Sequence, residues 1–87
     1  MPMHLVIEKL ARKGLDRMSA KAAAKMLTRL ETIAADPFAP HANVKPLEGE
    51  KNAFRLRQGD WRAVYRIIRE RGEMRVVLVD VRGSVYR

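Results

Sequence analysis

Between Phe54 and Arg69 the chain sets arginine against apolar residues in two consecutive runs, Arg55 and Arg57 in the first and Arg62 and Arg66 in the second. Guanidinium groups stay charged and present a planar fork of donors that suits phosphate oxygens. On an extended strand, same-face neighbours lie about 7 Å apart and adjacent strands about 4.8 Å apart. If Phe54, Leu56, Trp61, Ala63 and Tyr65 turn into a core, the four arginines gather on the opposite face. Four like charges at that spacing repel one another unless an anion sits among them, or unless they form a solvated surface screened by salt. The chemistry such a group supports is neutralisation of a phosphate.

Other reactive residue types do not combine. The chain has no cysteine, which excludes a disulfide framework and a thiolate metal site. His4 and His41 stand alone and far from the arginines in sequence. Ser19 and Ser84 have no histidine and acid at a spacing that would activate a nucleophile, and there is no glycine loop of the phosphate-cradling kind.

Charge says the same at larger scale. The net charge is +8 over 87 residues, the mark of a polyanionic or acidic partner. Residues 44–87 carry eleven basic side chains against six acids, and nine of the eleven are arginine, so the phosphate-suited cations lie in the C-terminal half. A hydrophobic fraction of 47% with 32% charged residues describes a globular domain, and 87 residues allow one domain, 1–87, with a thin core. No apolar run reaches the roughly 18 residues of a membrane span, and the N-terminal residues lack a secretion pattern. A cytoplasmic protein is the expectation.

The elements that must position the arginines are legible from periodicity. Met3 to Ile7 is a weakly alternating short strand. Ile7, Leu10, Ala11, Leu15 and Met18 recur at helical spacing, and Ser19 is placed to cap a second helix. In that helix Ala23, Met26, Leu27, Leu30, Ile33 and Ala34 form an apolar stripe, with Lys21, Lys25 and Arg29 off it. Asp36-Pro37 ends it. Phe54 to Arg57 reads as a strand, Gln58-Gly59-Asp60 as a turn, and Trp61 to Arg69 as a second strand with Trp61 and Tyr65 as core anchors. Glu70 to Glu73 is a further turn, and the nearly all-apolar Met74 to Val81 is expected to be a central strand. The result is an α+β fold, an N-terminal helical hairpin packed on a small, mostly antiparallel β-sheet.

The segment Leu47-Glu48-Gly49, then Phe54-Arg55-Leu56-Arg57-Gln58-Gly59-Asp60-Trp61-Arg62-Ala63-Val64-Tyr65, resembles the RelE/ParE toxin superfamily of type II toxin–antitoxin systems. The ending Arg82-Gly83-Ser84-Val85-Tyr86-Arg87 is similar to the close of its RelE branch. The resemblance implies a RelE-like fold and a toxin that enters the ribosomal A site, cleaves the mRNA there, and is held inactive by a cognate acidic antitoxin. It implies no cofactor and no metal, since the adjacent 2′-hydroxyl is the nucleophile. Carried over by position, Arg55 and Arg57 stand where RelE toxins often carry a catalytic and a phosphate-binding lysine. Arg62 matches a phosphate-binding arginine, Arg82 an arginine that stabilises the leaving group, and Tyr86 a tyrosine that stacks on a base.

Two departures qualify the match. Arginine at position 55 keeps its proton where lysine could lose it, and Val81 precedes Arg82 where relatives place a histidine. Asp80 is the nearby acid, with its direction open. A gyrase-poisoning toxin of the ParE branch and a non-catalytic antitoxin-binding relative therefore stand beside the endoribonuclease. For Tyr86, base stacking and capping of the sheet are both open.

Overall fold

In the computed structural model, which describes residues 2–81, the chain forms β1 (His4–Ile7), α1 (Lys9–Asp16), α2 (Ala20–Ala35), β2 (Val44–Pro46), β3 (Ala53–Gln58), β4 (Trp61–Ile68) and β5 (Glu73–Val81), with a 3-10 turn at Arg69–Arg71. The strands make one sheet in the order β1-β5-β4-β3-β2. All neighbours are antiparallel except β1 with β5, which pair in parallel. The α+β expectation holds, with two particulars that periodicity did not reveal. A three-residue strand, β2, extends the sheet beyond β3, and the middle strand is β4, with β5 one place nearer the β1 edge.

Both helices lie on one side of the sheet and share its core. Ala11 and Leu15 of α1 and Met26, Leu30 and Ile33 of α2 meet Leu56, Ala63, Tyr65, Met74, Val76 and Val79 in a single buried cluster. The first helical stretch is shorter than its pattern implies. It stops at Asp16, and Ser19 opens α2 with its side-chain oxygen accepting from the Ala22 amide at 3.1 Å. Trp61 is half-buried against the cluster and Phe54 stacks on Tyr65, ring centroids 5.5 Å apart.

Gly14 explains how closely α1 approaches the sheet. A Cβ at that position would stand 1.9 Å from the carbonyl oxygen of Val79. Only glycine lets the helix rest on the β5 backbone.

A β-bulge sets the faces of β5. Val64 pairs with Leu78, but Tyr65 pairs with Val76, so Val77 is an extra residue on β5. Without it the alternation would send Arg75 into the core and Met74 and Val76 out. With it, Met74, Val76 and Val79 are buried, and Arg75 reaches Glu8 at 2.9 Å and Glu73 at 3.0 Å. Bulges commonly redirect a strand in this way.

Candidate functional site

The sheet face turned away from the helices takes its side chains from alternate positions. Leu56 faces the core, so Arg55 and Arg57 face outward. Register across the strands then forms two rows. Asp80, Arg62 and Arg57 are successive partners on β5, β4 and β3. The next row runs Leu78, Val64, Arg55 and Lys45 across β5, β4, β3 and β2. Cations thus occupy the β2–β3–β4 side of the face, and Asp80 closes the first row beside Arg62.

Lys45, Arg55 and Arg57, with Asn43 and Gly59, line a cavity of about 360 Å³ on this face. Asn43 holds the rim in place because its carbonyl accepts from the Arg57 amide at 3.0 Å. Gly59 adopts φ +60° in the turn between β3 and β4, a conformation that favours glycine.

Arg62 adjoins this group as the direct partner of Arg57. Its Nε is buried and has no hydrogen-bond partner among the described residues. Arg66 shares the parity of Arg62 but is drawn off into an ion pair with Glu50, so it stands apart from the cavity. Asp80 accepts from the Val81 amide at 2.7 Å and lies 3.6 Å from Arg17. Arg82 and Tyr86, the remaining residues that the sequence singles out, lie outside the described residues.

Lys45 is the charged member of this cavity that sequence reading missed, and Asn43 an uncharged one. Lys45 sits in a three-residue strand that ends in proline, too short to show alternation, and only its pairing with Arg55 brings it to the site. His41 does not reach the site. It lines a separate pocket with Phe38 and Phe54, and its Nε2 lies 2.7 Å from the Asp36 carbonyl at the end of α2. Tyr65 is core, as its spacing implies. Burial pushes its hydroxyl up to about 12, against a smaller opposing pull from Arg29, and that hydroxyl has no partner among the described residues. No group of three or more His, Cys, Asp or Glu side chains among the described residues is placed to hold a metal ion, and no helix among them is long and apolar enough to cross a membrane.

Two helices thus lie over one side of a five-stranded mixed sheet, with arginines on the other. The chain belongs to the ParE toxin family of type II toxin–antitoxin systems, whose family model matches residues 5–84. Among solved structures it is similar to a double arginine-to-alanine mutant of Escherichia coli toxin RelE in the free state, with a TM-score of 0.81 and 22% identity over 99% of this chain and 90% of that one. The RelBE2 toxin–antitoxin complex from Mycobacterium tuberculosis matches with a TM-score of 0.77 and 25% identity over 94% and 93% of the two chains. A YoeB/ParE toxin from Agrobacterium tumefaciens matches with a TM-score of 0.75 and 21% identity over 91% and 98%. Among curated proteins none matches the chain in sequence.

Proposed function

We propose that this toxin is a ribosome-dependent, metal-independent endoribonuclease. It cleaves mRNA in the ribosomal A site, acts in the cytoplasm, and is neutralised by a cognate acidic antitoxin. The observation that carries the reading is the cavity shared by Lys45, Arg55 and Arg57 on the open sheet face, with Arg62 beside it.

The reaction requires the 2′-oxygen to bond to phosphorus while the bond to the 5′-oxygen breaks. Negative charge on the phosphoryl oxygens grows in the transition state, and fixed cations lower the barrier by meeting it. Arg55, Arg57 and Arg62 fill that role. The unpartnered Nε–H of Arg62 supports it, since a buried donor without an acceptor costs about 1–3 kcal/mol and a phosphate oxygen is an acceptor. Lys45 is the one side chain lining the cavity with an ammonium proton to give, and it protonates the departing 5′-oxygen. Asp80, at the other end of the Arg57–Arg62 row, receives the proton of the 2′-hydroxyl. Arg82 and Tyr86 complete the site as leaving-group and base-stacking residues.

The test is single-turnover cleavage of ribosome-bound mRNA. Lys45→Arg keeps the charge but not the readily given proton, and is expected to slow cleavage by about 10²-fold, within the range for general acid–base catalysis. Arg55→Lys is expected to preserve or raise it. Wild-type cleavage should be nearly flat between pH 6 and 8, where lysine, arginine and aspartate ordinarily keep their charge. Unchanged cleavage by Lys45→Arg would remove Lys45 from the mechanism.

A second reading is a gyrase inhibitor of the ParE branch, which the family match and the likeness to a YoeB/ParE toxin favour. It would use the same fold without RNA chemistry, and wild-type protein that leaves ribosome-bound mRNA whole would support it.

A further inference from the structure

The arginine cavity does not end at the sheet. It opens over the β3–β4 turn into a groove of about 710 Å³ between that turn and α2, and the two share Asn43, Arg57 and Gly59. We propose that this groove is a second RNA subsite, holding the single strand that continues away from the phosphate in the cavity. The proposal rests on the endoribonuclease reading above.

Three features of the groove point to a nucleotide strand. Lys21, Lys25 and Arg29 line one wall at four-residue spacing, so they form a row along α2. Successive members stand about 6 Å apart along the axis, close to the phosphate repeat of an extended strand. Like charges at this spacing destabilise a helix slightly, and a polyanion lying along them offsets that cost.

The floor, by contrast, is small and largely apolar. Ala24 and Ala42 leave room for a base, and the Gln58 side chain, whose Nε2 donates to the Ala22 carbonyl at 3.4 Å, lines the groove with them.

The third feature is pairing. Arg17, Arg66 and Arg75 are each within salt-bridge reach of a carboxylate, whereas Lys21, Lys25, Arg29, Lys45, Arg55 and Arg57 have no such bridge among the described residues. The Arg29 guanidinium donates to the Ala42 carbonyl, which fixes one end of the row. Cations along the passage are therefore available to an external anion. The passage is bounded by one helix and one turn in a molecule only 33 × 28 × 24 Å, and the occupant proposed for it is a single strand.

Fluorescence anisotropy with 2′-O-methyl oligouridylates tests this, because they lack the nucleophilic hydroxyl and stay intact. A tetranucleotide is short enough to occupy the cavity alone, and a decanucleotide reaches the groove. The wild-type toxin is expected to hold the decanucleotide on the order of tenfold more tightly at about 0.1 M salt. Lys21→Ala/Lys25→Ala should erase that advantage, lower the salt slope by about 1.4, and leave tetranucleotide binding in place. Lys9→Ala/Lys13→Ala removes equal charge from α1, away from the groove, and should keep the advantage. A decanucleotide advantage that survives the α2 substitutions, or that the α1 substitutions remove equally, overturns the subsite. So does displacement by duplex RNA at equal affinity. Wild-type protein that binds neither oligonucleotide overturns the reading of the cavity itself.

Discussion

Two buried polar atoms without partners among the described residues, the Arg62 Nε and the Tyr65 hydroxyl, sit on one strand but serve different ends. Arg62 faces the open side opposite Asp80 and Arg57, where a phosphate could accept its hydrogen bond. Tyr65 faces the core, away from the open sheet face. Its raised pKa makes a stability claim. The folded state keeps the phenol neutral up to about 12, while the unfolded chain releases the proton near 10.0. Between those values the unfolded state binds fewer protons, so stability falls as pH rises, by about 2–3 kcal/mol across the window, and the contribution is fully present below 10. Tyr65→Phe should be neutral or slightly stabilising at pH 7 and should remove that alkaline loss, as measured by urea unfolding at pH 7 and again above pH 10.0. Equal alkaline loss in both proteins would place its cause elsewhere. At this scale the sequence showed what it could show by parity. Arg55, Arg57 and Arg62 announced their face because apolar residues alternate with them, while Lys45 has no such neighbours to mark it.

Position within an element decided what else was legible. The second helix was readable because its apolar stripe, Ala23 to Ala34, spans about three turns and Ser19 and Asp36-Pro37 bracket it. β2 escaped because it has three residues and owes its existence to pairing with β3. β5 was recognised as a strand but not assigned faces, since the bulge at Val77 breaks the parity of an almost wholly apolar run. Gly14 is the sharpest case. Inside a helix, glycine usually costs about 0.5–1 kcal/mol relative to alanine, so Gly14→Ala would ordinarily stabilise. Here the added methyl meets the Val79 carbonyl at 1.9 Å, on backbone that both helix and strand hold fixed. Gly14→Ala is expected to destabilise by about 2–3 kcal/mol through overpacking, read as a lower denaturation midpoint with an unchanged slope. A stabilised variant would mean that α1 rides further from β5.

For the whole molecule, a net charge of +8 and an open cationic face make association with an acidic partner fast and salt-sensitive. The antitoxin's on-rate should fall steeply as salt rises while its off-rate changes little, measurable by stopped flow on the purified pair. An on-rate indifferent to salt would mean that apolar contacts, not this field, guide assembly. Charge also governs the target, because the same fold and field suit a nucleic acid in the ribosome or a protein target in the cell. Transcript ends distinguish the two. The most direct measurement is sequencing of transcript 5′ ends within minutes of toxin induction, beside the same cells carrying Arg62→Ala. New 5′-hydroxyl ends inside codons are expected with the wild-type protein, none with Arg62→Ala, and normal plasmid supercoiling in both. Whole transcripts together with gyrase-dependent DNA breaks in the wild-type cells would contradict it.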